Sequence, residues 1–326
     1  MLAVGGEGST LRPVLVVDLV DEDLHVLGRD AVGVDERSRD PLHEGPLVLD
    51  RAWRLLDGDD GHGSKIAHLP YADVDGLSLY YEDHGSGEPL VLLHGGVAGS
   101  EIFAAMLPAL AADRRVILVD LQGHGRTGEI DRPLRPELLA GDVAALIVHL
   151  GLERADVLGY SLGAAVAFRL AVEHPERVRR LILVSLPFRR DGSHPEVVAA
   201  FAAFSPEMAE HMKPSPAYQH YAQHAPRPED WGEHIAKTSD LLHIDYDWTG
   251  DVPKIAAPTL LVYADADSIR PDHIVEFYGL LGGGLRDAGW DGAHRPVNQL
   301  AILPGTTHYD IYLSPALPAA VLSFLQ

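Results

Sequence analysis

The sequence predicts an α/β fold: a doubly wound, mostly parallel sheet with a helical cap inserted between two of its strands. Short apolar runs typical of buried strands alternate with segments whose apolar residues recur at helical spacing. The alternation stops over residues 186–251, which are rich in aromatic residues, Pro and His, and then resumes. Ligands of open α/β sheets bind beyond the carboxyl ends of the strands, so a cap inserted there should cover the binding site.

Each predicted element rests on a local pattern. An Asp75-Gly76 turn divides residues 73–82 into two strands, and Gly151 stops the helix that begins at Pro136. The other predicted strands cover residues 89–93, 115–120, 155–159, 178–185, 258–264 and 300–303. The predicted helices outside the cap cover residues 102–112, 136–150, 162–173, 271–281 and 315–325.

Residues 1–65 differ in composition and in hydrophobic pattern from the rest of the chain. Two short apolar runs, at 14–17 and 24–27, could form a hairpin, but a Gly/Asp-rich stretch without periodicity follows them. No chemical motif falls in this region. We therefore expect an N-terminal appendage outside the catalytic core, and one α/β domain over residues 66–326 with its cap at about residues 186–251.

Composition excludes several classes of partner. The 326-residue chain has a formal net charge of −22 and no basic stripe that could neutralise phosphates, so a nucleic-acid partner is not expected. It has 0 cysteines, which excludes disulfides, thiolate metal sites and cysteine nucleophiles. No apolar run approaches the ~18 residues of a membrane span, and no secretory signal is visible. We expect a cytoplasmic enzyme, and the sequence leaves its oligomeric state open.

The strongest chemical signal is the pentapeptide Gly159-Tyr160-Ser161-Leu162-Gly163. It follows a predicted strand directly and precedes a predicted helix directly. A serine presented on so sharp a turn needs small residues two positions before and after it, which is the pattern of a nucleophile elbow. The alternative is an ordinary loop serine between glycines, but the strand–turn–helix context favours Ser161 as a nucleophile.

A serine hydroxyl needs a general base, and position must select it from 18 histidines. His308 follows the last predicted strand, so it lies at the carboxyl edge of the sheet, where the turn at Ser161 also opens. Asp265 and Asp267 follow the preceding strand onto the same edge, and either could orient the histidine. The chain order Ser, Asp, His is typical of a hydrolytic triad on an α/β sheet.

A tetrahedral intermediate also needs amide donors for its oxyanion. The N–H of Leu162 is one candidate, because it belongs to the residue after the nucleophile. The loop that follows the strand at 89–93 should supply the second. We expect Gly96 to be that donor, with Val97 as the alternative.

Two further patterns suggest a cofactor or a metal and are weaker. Residues 123–128 fit G-x-G-x-x-G after a strand, but a dinucleotide site needs a helix to begin there, and residues 129–133 intervene. His220 and His224 could share one helix face, yet no Asp or Glu is obviously placed as a third metal ligand. We therefore expect neither a cofactor nor a metal.

Taken together, these motifs make residues 71–326 resemble a single-domain α/β-hydrolase of the esterase, haloperoxidase and carbon–carbon hydrolase group. The matching pieces are His94-Gly95-Gly96, residues 120–127, residues 159–163, residues 265–267 and Gly305-Thr306-Thr307-His308. The resemblance implies that Asp267, rather than Asp265, contacts His308. Thr127 stands where relatives commonly have serine, and residues 1–65 have no counterpart in the family pattern.

The expected activity is hydrolysis of a small or medium carboxylic ester through an acyl-enzyme. A serine at the elbow argues against the haloalkane dehalogenases and epoxide hydrolases of this fold, which need a carboxylate there. One alternative is carbon–carbon bond hydrolysis, for which Arg126, Arg189 or Arg190 could bind a substrate carboxylate, or cofactor-free perhydrolysis. Another alternative is a non-enzymatic ligand receptor. Some cap aromatics should line the pocket; the candidates are Phe201, Phe204, Tyr218, Tyr221 and Trp231.

Overall fold

The structure is a computed structural model that describes residues 70–326. The predicted appendage, residues 1–65, lies outside the described residues and stays a prediction. Within residues 70–326, no helix is long and apolar enough to cross a membrane.

Eight strands form one sheet, in the order β1-β2-β4-β3-β5-β6-β7-β8. β1 pairs with β2 and β2 with β4 in antiparallel fashion, and all the other neighbours are parallel. The strands are β1 Tyr71–Val74, β2 Leu77–Gly85, β3 Glu88–Leu93, β4 Arg114–Val119, β5 Ala155–Tyr160, β6 Val178–Val184, β7 Thr259–Ala266 and β8 Gln299–Thr307. The mostly parallel sheet predicted from the sequence is confirmed.

Helices cover both faces of the sheet. Their bounds are α1 Leu107–Ala111, α2 Pro136–His149, α3 Leu162–Glu173, α4 Pro195–Ala203, α5 Met208–His211, α6 Pro216–His224, α7 Trp231–Leu242, α8 Pro271–Leu280 and α9 Ala316–Leu325. One buried apolar cluster joins the sheet to α2, α3 and α8, and a second joins it to α1 and α9. The fold is therefore doubly wound, as predicted.

The helix predicted over residues 102–112 is wrong in its extent. The segment forms a 3-10 helix, Ser100–Phe103, then a turn, and only then the short helix α1. Pro108 accounts for the break. A proline has no N–H to donate to a preceding helical turn, and its ring clashes with the carbonyl four residues before it. Pro108 therefore fits in the first turn of α1, where it is the second residue, but not in the interior of a longer helix.

The cap consists of α4 to α7 and lies between β6 and β7 in the chain, where the alternation was predicted to stop. Its start and end are held together, since Arg189 and Asp247 form an antiparallel bridge and Trp248 N–H donates to Phe188 O at 2.9 Å. It also has a small core of its own, built around Ala209, Tyr221, Trp231 and Ile235.

Glu129 fastens the cap to the core domain. Its buried carboxylate, in the loop after β4, accepts hydrogen bonds from His234 Nδ1 at 3.1 Å and from Lys237 Nζ at 3.0 Å, both on α7. Burial acts to raise the pKa of Glu129, but these bonds and one from Gln122 outweigh it and hold the pKa below its usual range. The carboxylate therefore stays ionised and keeps its cap partners at neutral pH.

Candidate active site

Ser161 lies at the junction of β5 and α3. Its backbone is left-handed, with φ 53° and ψ −113°, and its N–H donates to Val184 O at 3.0 Å. Few residues other than glycine adopt this region, and holding one there costs of order 1–3 kcal/mol. The strain lifts the hydroxyl out of the sheet edge, as a nucleophile elbow requires.

Close backbone packing explains the two glycines that flank this turn. A Cβ on Gly159 would collide with the carbonyl of Gly163, and one on Gly163 would collide with Leu93 O. Larger residues would push α3 away from β3 and β5 and flatten the turn. The glycine spacing noted in the sequence is therefore a packing requirement.

His308 and Asp267 complete a chain of hydrogen bonds with Ser161. His308 Nε2 lies 3.2 Å from Ser161 Oγ, and His308 Nδ1 lies 3.0 Å from Asp267 Oδ1. An ionised carboxylate can only accept, so Nδ1 carries the hydrogen and Nε2 presents its lone pair to the serine hydroxyl. The structure thus brings together the Ser, His and Asp that were selected from the sequence.

The surroundings of Asp267 hold it in the ionised form. Its Oδ2 accepts from Ser185 Oγ at 2.6 Å and from Ala264 N–H at 3.0 Å. Burial acts to raise the pKa of Asp267, but the hydrogen bonds from His308, Ser185 and Ala264 hold it below its usual range. Asp265 instead accepts from Thr306 N–H at 3.1 Å and does not meet His308.

Gly96 and Leu162 are neighbours beside Ser161. A Cβ on Gly96 would lie 3.9 Å from the Leu162 side chain, and both residues border the same cavity as Ser161. Leu162 is the first residue of α3, where backbone N–H groups have no partner within the helix. Val97, the alternative donor, also borders the cavity and has a φ of 55°.

His94 fixes the loop that carries Gly96. Its fully buried ring donates from Nδ1 to Gly95 O at 2.7 Å and accepts from Leu121 N–H at 3.0 Å through Nε2. Burial lowers the pKa of His94, which keeps the ring neutral and both bonds in place. The loops after β3 and β4 are thereby tied together.

A cavity of about 700 Å³ opens over Ser161 between the core domain and the cap. Most of its lining side chains are apolar, and the cap and the segment after it contribute Val197, Phe201, Phe204, Leu241, Ile244, Tyr246 and Trp248. Of the five aromatics predicted as candidates, Phe201 and Phe204 border this cavity. Tyr218, Tyr221 and Trp231 pack together inside the cap instead.

The three arginines singled out in the sequence lie in different places. Arg190 borders the cavity. Arg189 and Arg126 do not border the cavity. Arg189 is paired with Asp191 and Glu276, and Arg126 lies 3.6 Å from both Glu82 and Asp120. Only Arg190 of these three is placed to meet a ligand in the cavity.

The weaker sequence patterns have local structural explanations. Residues 123–128 form a closed loop in which Gly123 N–H donates to Gly128 O, and no helix begins until Pro136. His220 and His224 stack on each other, and His220 Nε2 lies 3.0 Å from Glu101. Over the described range 70–326, no three or more His, Asp or Glu side chains are grouped as metal ligands.

Sequence reasoning missed three residues of this site. Ser185 holds Asp267, Tyr160 donates from its hydroxyl to His308 O at 2.7 Å, and Arg135 borders the cavity at the start of α2. Ser185 directly follows β6, and this place at the carboxyl edge of the sheet is the sequence signal that could have found it. The structure adds that its φ is 56°.

The chain belongs to the α/β-hydrolase family. A family model described as the alpha/beta hydrolase fold matches residues 88–226. A protein named as a carbamate hydrolase, RutD, of Azorhizobium caulinodans is 30% identical over 235 residues, which cover 68% of this chain and 88% of that protein.

Other relatives support the same membership. The pimeloyl-(acyl-carrier protein) methyl ester esterase of Aeromonas hydrophila is 42% identical over 134 residues, which cover 38% of this chain and 50% of the esterase. The match therefore spans about half of that enzyme's length. Among solved structures, a thermophilic esterase from Thermogutta terrifontis has a TM-score of 0.59 at 24% identity, with 80% of this chain and 98% of that chain covered. At that identity the likeness shows the fold alone.

The packing at the elbow predicts the effect of a single methyl group. Gly159→Ala should lower the free energy of unfolding by about 1–3 kcal/mol or more, because its Cβ meets backbone that cannot move aside. Gly232→Ala is the matched control: a Cβ there meets nothing within 4 Å, and the residue lies in α7. The control should be neutral or gain about 0.5–1 kcal/mol. Urea unfolding of both variants checks this, and equal stabilities would refute the packing argument.

Proposed function

We propose that the chain is a serine hydrolase that cleaves a carboxylic ester through an acyl-enzyme. Ser161 is the nucleophile, His308 the general base and Asp267 the carboxylate that orients it. The observation that carries the proposal is the continuous hydrogen-bond chain from Asp267 through His308 to Ser161 at the wall of a largely apolar cavity.

In the first half of the reaction Ser161 Oγ attacks the ester carbonyl carbon. His308 Nε2 takes the hydroxyl proton as the bond forms, and Asp267 stabilises the resulting imidazolium. The carbonyl oxygen becomes an oxyanion, and the N–H groups of Gly96 and Leu162 donate to it. The intermediate then collapses: the ester C–O bond breaks, and the proton on Nε2 passes to the departing alkoxide.

The second half repeats these steps with water. His308 takes a proton from a water molecule, whose oxygen attacks the carbonyl carbon of the acyl-enzyme. Collapse of this intermediate releases the carboxylic acid, and Ser161 Oγ recovers its proton from Nε2. Asp267 keeps its negative charge throughout, in line with a pKa held below the usual range.

The cavity supports a medium-sized substrate. A volume of about 700 Å³ falls within the roughly 300–1,000 Å³ typical of pockets for drug-sized ligands, so it has room for more than an acetyl group. Its apolar wall favours a hydrocarbon or aryl portion next to the ester. The names of the relatives, which include an esterase and a carbamate hydrolase, are compatible with this bond type.

The direct test is turnover of p-nitrophenyl esters of graded acyl length. The wild-type protein should release p-nitrophenol with a burst of acyl-enzyme, and Ser161→Ala should lower kcat by about 10⁴ or more, because the members of a triad act as a unit. Circular dichroism of the variant establishes that it remains folded. Ester turnover by folded Ser161→Ala at the wild-type rate would contradict the mechanism, and tight ligand binding by a wild-type protein without turnover would point to a receptor.

The two neighbouring aspartates should differ sharply in their effect on activity. Asp267→Asn should reduce kcat by roughly 10⁴, because an amide neither fixes the histidine tautomer nor stabilises its charge. Asp265→Asn is the matched control and should retain most of the activity, since Asp265 bonds to Thr306 N–H instead. Steady-state kinetics on one ester separates the two. The reverse ranking would move the orienting role to Asp265.

The cap aromatics should affect acyl-length preference only where they border the cavity. Phe201→Ala enlarges the cavity, so the optimum of kcat/KM should move toward longer acyl chains, each buried methylene contributing about 0.8 kcal/mol. Tyr218→Ala removes a ring from the interior of the cap and should leave the optimum where it is. The measurement is kcat/KM as a function of acyl length for both variants. A shift of the optimum in Tyr218→Ala but not in Phe201→Ala would mean that the acyl group binds elsewhere.

A further inference from the structure

Two arginines in the wall of the cavity have no carboxylate partner among residues 70–326. Arg135 donates from Nη1 to Leu134 O at 2.7 Å, and Arg190 donates from Nη1 to Leu242 O and Ile244 O. Both are partly buried and both border the cavity that contains Ser161. Within the same range, the other donor nitrogens of the two guanidinium groups make no hydrogen bond to protein.

Carboxylates are abundant in this chain, since the formal net charge is −22. Among the described partly buried arginines, Arg180 also has no ion pair and donates to Leu325 O, but several others pair with carboxylates. The pairs are Arg114 and Asp156, Arg132 and Asp142, Arg169 and Asp251, and Arg179 and Asp156. Withdrawing a cation from water without a counterion is costly, so an unpaired guanidinium at an apolar wall indicates that a ligand supplies the missing charge.

The other charged groups at the cavity form no ion pair with the two arginines. Glu137 also borders the cavity, but its carboxylate lies 3.3 Å from Arg169 Nε rather than against Arg135 or Arg190. His308 is engaged by Asp267 through Nδ1 and by Ser161 through Nε2. Arg135 and Arg190 are therefore the arginines that the described wall offers to an anionic ligand.

We infer that the ester cleaved at Ser161 carries a carboxylate, separated from the scissile carbonyl by an apolar spacer, and that Arg135 and Arg190 bind it. The inference rests on the proposed function and names its substrate class. A guanidinium presents donors in a planar fork that matches a carboxylate. The apolar side chains Leu241, Tyr246 and Trp248 border the same cavity and would contact the spacer.

The experiment compares two matched series of p-nitrophenyl esters: half-esters of the C6, C8 and C10 dicarboxylic acids, and the simple acyl esters of equal carbon number. Shorter half-esters are avoided because their own carboxylate attacks the ester. The quantity measured is the ratio of kcat/KM for the carboxylate ester to that for its neutral match. In the wild-type protein this ratio should exceed one for at least one chain length and should fall when 0.5 M NaCl is added.

Arg135→Gln should reduce that ratio by roughly tenfold, because it removes a charge-assisted hydrogen bond. Arg190→Gln should lower the ratio in the same direction, and Arg135→Lys, which keeps the charge without the fork, should restore part of it. Arg154→Gln is the control, because Arg154 is exposed and does not border the cavity. Thermal melting of every variant establishes that it is folded.

A wild-type ratio of one or less at every length, or an unchanged ratio in Arg135→Gln, would overturn the inference while leaving the proposed function intact. If neither series is hydrolysed, the proposed function fails, and binding then decides the inference. Calorimetry of Ser161→Ala would compare the mono-N-methylamide of the C8 diacid, which keeps a free carboxylate, with N-methyloctanamide. Tighter binding of the carboxylate ligand, lost on adding Arg135→Gln, would support the anion site, and equal binding would reject it.

Discussion

The close approach of α3 to the ends of β3 and β5 is the constraint on which the rest of the site depends. Gly159 and Gly163 have no Cβ, and only for that reason can the helix begin within contact of Leu93 O. This contact forces the left-handed turn at Ser161 and points its hydroxyl away from the sheet. It also sets α3 against the end of β3, so the loop with Gly96 lies beside Leu162. One backbone contact thus positions the proposed nucleophile and both proposed amide donors.

Much of this architecture could be predicted from local pattern, and the exceptions have local causes. Buried strands and amphipathic helices leave strong periodic signals, whereas Pro108 shortened a helix whose apolar spacing looked continuous. Asp265 and Asp267 could not be separated by the residues alone, and only the family resemblance favoured Asp267. The structure gives the physical reason: the pairing of β7 with β8 shifts register between Ala264 and Ala266, which turns Asp265 toward Thr306 and Asp267 toward His308.

What the sequence could not supply are contacts between residues far apart in the chain. Ser185 and Asp267 are distant in sequence, and neither position carries a motif that joins them. The cap aromatics share one composition, yet Phe201 faces the cavity while Trp231 fills the cap interior, and only the packing of four helices separates them. Arg135 looked like an ordinary residue before a helix. The role we propose for it rests on the lack of a carboxylate partner among residues 70–326, which no local pattern records.

The bridge between Arg189 and Asp247 has a consequence for how such proteins diversify. Because the cap leaves and rejoins the core domain at one paired spot, its length and content can change without altering the distance the chain must span. The core domain can then keep its structure while the cap changes. New specificities can arise by exchanging the inserted segment, with Glu129 as the anchor a replacement must match.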